Sequence, residues 1–356
     1  MKAIFVGTLD GVFKVTRTSV GGWQVESKRL PGMEVNVLGL CPDKRDVVYA
    51  GIRGGGLFRS DDAGKNWRRI GESVFSDKVR ALALDPSNSQ RIYVGTEPPA
   101  LWKSEDGGKN WRELSGVRQL ADDRRWTYPV PVIQPHIRGI AIHPKDSKKL
   151  CLAAQVGGLL LSNDGGESWS DVRYPIDMDV HSVTFDPGNG AVLYAATGGG
   201  ENFPDPTPPP KGRPLYRSQD GGKSWQSITD SLLRTYSVPV RVHPVNSRML
   251  FLGVAEEPPP FWLERPTKAN GALMRSADGG ATWQQLSGGF PNPYRSMVEC
   301  IEFDPDAPDD VFVGTGGEGA RYIKLEPGEI FHSGDRGDTW DKIPLRFPII
   351  YALAIQ

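Results

Sequence analysis

An eight-residue pattern, Ser-x-Asp-x-Gly-x-(Asn/Ser/Thr)-Trp, recurs six times along this chain and constrains its fold more than any other feature. Each copy keeps the same internal spacing, with the tryptophan seven residues after the serine. The copies begin at Ser60, Ser104, Ser162, Ser218, Ser276 and Ser333. Because self-similarity at a fixed spacing marks repeat architectures, we expect the chain to build one supersecondary unit several times.

The residues of the pattern predict a tight turn between two strands. In the copy at 101–114, the runs LWKS and NWREL alternate as strands do. Asp106 is expected to accept hydrogen bonds from the turn amides, and Gly108 to adopt the positive φ that other residues resist. Trp111 then covers the hairpin with a large apolar face. We therefore predict that the aspartates of the pattern hold the frame rather than carry chemistry.

Each copy also has an upstream half that reads as two further strands. An example is VRALALDPSNSQRIYVGT at 79–96, where two apolar runs flank a short turn. The tryptophans of successive copies lie 44 to 58 residues apart. Four antiparallel strands per unit at this period predict a β-propeller.

The two ends of the chain supply the halves of one further unit. Residues 3–27 match its second, third and fourth strands, and 350–355 match its first strand. Pairing them would close the ring and leave no free strand edge. We predict an all-β, seven-bladed propeller that spans 1–356 as a single domain. Its blades are expected at 349–356 with 1–27, 35–70, 79–114, 137–172, 180–228, 238–286 and 298–343.

The repeated pattern resembles the Asp-box (BNR) repeat of sialidases, sortilin-type receptors, xyloglucan-active propellers and plastid photosystem-assembly factors. The resemblance covers essentially the whole chain and implies the propeller fold, but the proteins that share it differ in function. It also implies that the Asp boxes lie at the blade periphery, away from any ligand. Sialidase activity itself is disfavoured, because Arg29-Leu30-Pro31 matches the sialidase Arg-Ile-Pro signature only as a tripeptide, and no Tyr–Glu pair or acid Asp matches theirs.

Composition narrows the classes of partner. The formal net charge of −1 argues against a nucleic-acid or anionic-membrane surface. No apolar run reaches the ~18 residues of a membrane span and no signal peptide is evident, so a cytoplasmic monomer is expected. Cys41, Cys151 and Cys300 are sparse and lie in strand-like runs, which predicts small buried thiols.

Candidate site residues are sought on the face opposite the Asp boxes. The turns between first and second strands share the Asp-box face, and these turns hold His143 and His243. The remaining loops share the opposite face, here called the loop face. Register places one residue near the start of each first strand at the mouth of the central channel on that face. The predicted ligand-binding residues of this ring are Asn36, Arg80, Arg138, His181, Glu299 and Tyr351.

Long loops are expected to wall this site. The segments 115–136, 198–214, 255–272 and 316–329 exceed their counterparts in the other units, and long loops in compact folds are commonly functional. They supply three further candidates for ligand binding, Trp126, Arg321 and Tyr322.

Acid–base chemistry is assigned to carboxylates on the same loops. Glu256 and Glu318, together with His181, are the predicted catalytic residues, because carboxylates that converge on one face can supply an acid and a base. No cofactor or metal motif is present, although a cation bound by the loop-face carboxylates Glu97, Glu201, Glu256 and Glu318 stays open.

These features favour a site for a small polar ligand, either anionic or carbohydrate-like, in a glycan-active hydrolase or lyase. Arg80, Arg138 and His181 on adjacent blades favour an anion, with Glu256 and Glu318 facing them. Two alternatives remain. The mixed charges of the ring can pair with one another as a plug, or the protein can be a non-catalytic scaffold for a protein partner.

Overall fold

The chain folds into a ring of seven four-stranded antiparallel sheets, the blades of a β-propeller. The computed structural model describes residues 2–75, 78–128, 133–172, 175–198, 213–229, 232–292, 294–316 and 327–356. The described part is nearly all β, as predicted, and blades 2 to 7 run outward from the channel in the order in which their strands follow along the chain.

The first four blades contain the following strands. Blade 1 holds β1 (Ala3–Thr8), β2 (Gly11–Arg17) and β3 (Trp23–Arg29). Blade 2 consists of β4 (Val35–Cys41), β5 (Lys44–Ile52), β6 (Gly56–Ser60) and β7 (Arg68–Ile70). Blade 3 consists of β8 (Lys78–Asp85), β9 (Asn88–Glu97), β10 (Leu101–Ser104) and β11 (Arg112–Glu113). Blade 4 consists of β12 (His136–Ile142), β13 (Leu150–Gln155), β14 (Gly158–Ser162) and β15 (Ser170–Val172).

The remaining blades repeat this order. Blade 5 consists of β16 (Val180–Phe185), β17 (Leu193–Thr197), β18 (Leu215–Ser218) and β19 (Gln226–Ser227). Blade 6 consists of β20 (Tyr236–His243), β21 (Asn246–Ala255), β22 (Ala272–Ser276) and β23 (Gln284–Gln285). Blade 7 consists of β24 (Val298–Phe303), β25 (Val311–Thr315), β26 (Ile330–Ser333) and β27 (Asp341–Lys342).

The last strand, β28 (Ile350–Ile355), returns to blade 1 and closes the ring. It pairs antiparallel with β1, from Ile4 opposite Ile355 to Thr8 opposite Ile350. Every residue of β1 is buried, since β28 covers one edge and β2 the other. The predicted closure by the two chain ends is confirmed.

In the described residues, two short helices interrupt the β structure on the loop face. Helix α1 (Gly116–Asp123) lies in the long connection between blades 3 and 4 and buries Val117 and Ala121. A 3₁₀ turn (Pro259–Glu264) lies between β21 and β22 and buries Trp262 completely. Their lengths are too short for helical periodicity to be distinguished from loop sequence, so neither was predicted.

The repeated aspartates bond the turns that follow each third strand. Ser104 Oγ donates to Asp106 Oδ1 (2.9 Å) and accepts from the Gly108 amide (2.8 Å). The Asn110 amide donates to Asp106 Oδ1 (2.9 Å), and Gly108 has a φ of 90°. Led by the bond from the Asn110 amide, these contacts lower the pKa of Asp106 to about 2. The equivalent carboxylates accept the same amide bond and also have pKa values of about 2: Asp62, Asp164, Asp220, Asp278 and Asp335.

Removing 350–356 should open the ring, because β1 would then expose a buried, unpaired edge. We expect the truncated chain to lose its cooperative thermal transition, measured by circular dichroism. Gln356→Ala is the control, since it removes only the bonds from this side-chain amide to the Arg45 carbonyl and Asp46. A truncated chain that melts like the full chain would contradict closure by β28.

Acid should weaken the Asp-box turns only at low pH. Since the pKa of Asp106 is about 2 in the folded protein and 3.8 without the turn, its contribution to stability is complete above about pH 5 and is lost progressively as the pH falls to 2. The difference in unfolding free energy between wild type and Asp106→Asn should be constant above about pH 5 and shrink towards pH 2. Denaturant unfolding over a pH series measures it, with Asp122→Asn on the exposed side of α1 as the control.

Candidate functional site

A β-bulge near the start of every first strand aims one residue at the channel. Between β8 and β9, Val79 lies opposite Thr96 and Ala81 opposite Gly95, so Arg80 is the extra residue. Bulges are a common means of redirecting a side chain beside a functional site. The same register shift singles out each predicted ring residue: Asn36, Arg138, His181, Glu299 and Tyr351. In blade 6 it falls at Val238 and Pro239.

Small residues on the second strands allow the blades to approach one another at the bulges. A Cβ on Gly95 would lie 2.7 Å from the Ile137 side chain of the next blade, and one on Gly51 would lie 2.5 Å from Val79. Such contacts are far inside van der Waals range, so only glycine fits. Each strand opposite a bulge carries Gly or Ala at this level: Gly7, Gly51, Gly95, Ala153, Ala196, Gly253 and Gly314.

The bulged residues line one cavity of about 250 Å³ at the channel. The six predicted ring residues all contribute to its wall: Asn36, Arg80, Arg138, His181, Glu299 and Tyr351. Arg241 and Glu302 lie on the same wall and form an ion pair at 3.0 Å. The cavity wall is thus polar and carries both signs of charge.

In blade 3, Arg80 is held by its neighbours. Arg80 Nη2 donates to His136 Nε2 (2.8 Å), and His136 Nδ1 donates to the Gln134 carbonyl (2.9 Å). These bonds place the imidazole proton on Nδ1, since a guanidinium can only donate. The Glu97 carboxylate lies 3.7 Å from Arg80 Nε and accepts from Lys78 Nζ (2.6 Å). Arg80 therefore has a carboxylate partner at the end of its own blade's second strand.

In blade 4, Arg138 contacts an amide and a carboxylate. Its Nη1 donates to Gln155 Oε1 (2.9 Å), and its Nη2 lies 3.9 Å from Glu299 Oε2 of blade 7. Gln155 Nε2 donates to Tyr128 Oη (3.1 Å), and the Tyr128 ring stacks on His136. Gln155 thus joins the wall of the cavity to the connection between blades 3 and 4.

In blade 5, His181 is anchored on both ring nitrogens. Nδ1 donates to the Ser237 carbonyl (2.5 Å), and Nε2 lies 3.1 Å from Asp179 Oδ1. Burial opposes ionisation of Asp179, but the charge and hydrogen bond of His181 hold the pKa of Asp179 below its usual value. Tyr236 packs on His181 with ring centroids 4.9 Å apart, and Trp262 packs edge-on against Tyr236.

A second carboxyl on the same connection is protonated near neutrality. Burial raises the pKa of Asp177 to about 7 and the charge of Asp179 adds to the rise, against a bond from Thr197 Oγ1 to Asp177 Oδ2 (3.0 Å). Only 2% of Asp177 is exposed. The two carboxyls on this connection therefore have opposite pKa shifts.

The other predicted site residues lie away from this cavity or outside the described residues. Glu256 accepts from Arg265 Nη1 (3.1 Å) and Asn270 Nδ2 (3.0 Å) beside the 3₁₀ turn. The Trp126 ring lies directly over Gly157 within a core cluster. Glu201, Glu318, Arg321 and Tyr322 lie outside the described residues.

The cysteines and the other possible metal ligands are dispersed within the described residues. Within the described ranges, no three His, Cys, Asp or Glu side chains lie close enough to hold a metal ion. The three cysteines are unpaired and buried, as predicted. No helix in the described part of the chain has the length and apolarity to cross a bilayer.

Sequence reasoning missed Gln155, Asp177 and Asp179. One signal was present for Gln155, because it occupies the same final position of the second strand as Glu97, which the loop pattern had singled out. Asp177 and Asp179 lie in an irregular connection without a repeated counterpart, so register could not align them.

Comparisons with known proteins agree with this architecture. No family model matches the chain. The oligoxyloglucan-reducing end-specific xyloglucanase of Emericella nidulans is 25% identical over 224 residues, which cover 59% of this chain and 24% of that protein. A GH74 xyloglucanase structure from Xanthomonas campestris is 18% identical with a TM-score of 0.62, covering 86% of this chain and 45% of that one. The structure of YCF48 bound to D1 peptide is 17% identical with a TM-score of 0.56, covering 88% and 85%.

The similarity to the curated relatives covers only part of their length. The chain matches only about a quarter of the length of the curated xyloglucanases. The solved structures are alike in fold. The likeness therefore supports the propeller architecture.

Asp177→Asn should change the pH dependence of stability. The folded protein keeps Asp177 protonated up to about pH 7, whereas the unfolded chain ionises it near 3.8, so wild type loses stability as the pH rises between these values. Asparagine cannot ionise and keeps an oxygen for the Thr197 bond. We expect the variant to gain roughly 3 kcal/mol relative to wild type between pH 4.5 and pH 7.5, measured by denaturant unfolding. An equal difference at both pH values would show that Asp177 is ionised in the folded protein.

Proposed function

We propose that this chain binds a neutral carbohydrate at the mouth of its central channel and acts on it as a glycan hydrolase. The observation that carries the proposal is the ring of bulged residues around one polar cavity. Sugar hydroxyls both donate and accept, so they suit a wall that holds guanidinium donors together with carboxylate and amide acceptors.

The charges of the wall favour a neutral ligand over an anion. The three arginines of the wall each have a carboxylate within ion-pair distance: Arg80 with Glu97, Arg138 with Glu299 and Arg241 with Glu302. His181 Nε2 lies 3.1 Å from an Asp179 carboxylate oxygen. An anion would have to compete with these carboxylates. An anionic ligand, which Arg80, Arg138 and His181 had led us to expect, is therefore less favoured than a neutral carbohydrate.

Hydrolysis is the reaction that the curated xyloglucanases suggest. The acid and the base of this hydrolysis are expected among Glu256, Glu318 and His181, and this assignment stays a prediction. The bonds of Glu256 to Arg265 and Asn270 would have to rearrange for this role.

One observation favours the scaffold alternative. Three exposed apolar side chains lie on the loop face of blade 6, in the connection before β20 and in the 3₁₀ turn: Leu233, Phe261 and Leu263. Exposed apolar groups gathered on one face are typical of protein-binding surfaces. A scaffold would use this patch and leave the cavity empty of sugar.

Calorimetry with glycans separates these functions. A neutral xyloglucan oligosaccharide should bind, and an oligogalacturonate of equal length should not bind more tightly. Arg138→Met should weaken binding about ten-fold or more, because it removes charged hydrogen bonds from the wall. Arg118→Met, on the exposed side of α1, is the matched control. Release of reducing ends from the same oligosaccharide tests hydrolysis.

Two outcomes would contradict the proposal. Tighter binding of the galacturonate would show that the cavity selects anions. Binding of neither glycan, with Phe261→Ser abolishing capture of a partner protein, would establish the scaffold instead.

A further inference from the structure

Blades 3 and 4 differ at one matched position beside the cavity. Arg80 and Arg138 are the bulged residues of their first strands, and Glu97 and Gln155 end the second strands in the same register. In blade 3 the guanidinium therefore lies against a carboxylate of its own blade, at 3.7 Å. In blade 4 the equivalent group is an amide, whose oxygen accepts from Arg138 at 2.9 Å.

This substitution changes what the arginine can do. An amide oxygen orients a guanidinium but does not neutralise it, whereas a carboxylate does both. Gln155 is itself well fixed: it is 4% exposed, its Nε2 donates to Tyr128 Oη (3.1 Å), and its backbone bridges to Asp179. Arg138 is thus oriented by Gln155 of its own blade. Its charge helps to keep the neighbouring Asp179 ionised and is also shared with a carboxylate on another blade.

That carboxylate is Glu299, which reaches Arg138 from blade 7, three blades around the ring. Both side chains line the cavity and are largely buried, with exposed fractions of 13% and 7%. Their separation of 3.9 Å lies in ion-pair range but beyond hydrogen-bond length. The pair is close enough to attract and too far apart to bond directly.

We infer that Arg138 and Glu299 form a clamp for one hydroxyl of the glycan, with Gln155 as the positioning residue that presents Arg138 to it. The inference rests on the proposed function. A hydroxyl that accepts from arginine and donates to glutamate at ~2.8 Å each spans about 4.5 Å between their N and O atoms. The observed separation needs to widen by only about 0.6 Å to admit it.

Gln155→Glu tests the clamp. The introduced carboxylate would give blade 4 the arrangement of blade 3, pair with Arg138 and draw it away from Glu299. We expect the affinity for a xyloglucan oligosaccharide, measured by calorimetry on the full chain at pH 7, to fall ten-fold or more. Gln119→Glu makes the same chemical change on the exposed side of α1 and should leave the affinity unchanged.

A pH series distinguishes positioning from simple damage. Protonation makes the introduced carboxyl resemble the amide it replaces. The groups that face it are Arg138, Tyr128, His181 and Asp179. Arg138 favours its ionised form, whereas burial and the Asp179 carboxylate oppose ionisation, so the affinity of Gln155→Glu should recover towards wild type as the pH is lowered from 7 to about 4. Wild type and Gln119→Glu should follow one common curve. A loss of affinity that does not recover with acid would overturn the role of Gln155.

The remaining outcomes are equally decisive. If wild type binds no glycan, the proposed function and the clamp both fail. If wild type and Gln155→Glu bind equally well, the clamp fails and the proposed function stands. If Gln155→Glu does not fold, Glu299→Gln takes its place, since an amide is a weaker acceptor for the hydroxyl proton; unchanged affinity in that variant would overturn the clamp.

Discussion

Closure of the ring by β28 and β1 is the contact on which the other features depend. It joins the two ends of the chain through backbone hydrogen bonds and fixes the circumference around which the seven first strands lie. The Asp-box face reinforces the seam, where Lys2 pairs with Asp304 and Asp310, and Arg45 of blade 2 pairs with Asp306 of blade 7. Because residues on opposite blades share one channel, an open ring would have no cavity and no contact between Arg138 and Glu299.

The repeat separates the frame from the chemistry. Positions that are identical in all six copies of the pattern, such as Ser104, Asp106 and Gly108, bond the turns in which they lie. The bulged position, by contrast, is occupied by Asn, two Arg, His, Glu and Tyr in six different blades. A propeller can vary this position freely, because the bulge residue is unpaired in the sheet and its side chain packs against the channel rather than the blade core.

Burying polar residues around a narrow channel costs free energy of folding, which hydrogen bonds and ion pairs with neighbouring residues offset. Arg80 donates to His136 and lies in ion-pair range of Glu97, and His181 lies between Ser237 and Asp179. Burying a charge without a partner is costly, so these networks keep the cavity wall polar and folded. The opposite pKa shifts of Asp177 and Asp179 show how strongly burial and a neighbouring histidine can separate two carboxyls on one connection.

The number of blades, the closing strand and the bulged ring position could be predicted from the sequence, because six copies of one turn and the register around it form a repeated local pattern. Which ring residues meet could not be predicted in this way. Arg138 contacts Glu299 because the ring brings blades 4 and 7 across one channel, and Glu256 contacts Arg265 because the 3₁₀ turn folds back on its own loop. Asp177 and helix α1 lie in connections without counterparts in other units. Long-range contacts and unrepeated loops depend on the closed ring, and no local periodicity encodes them.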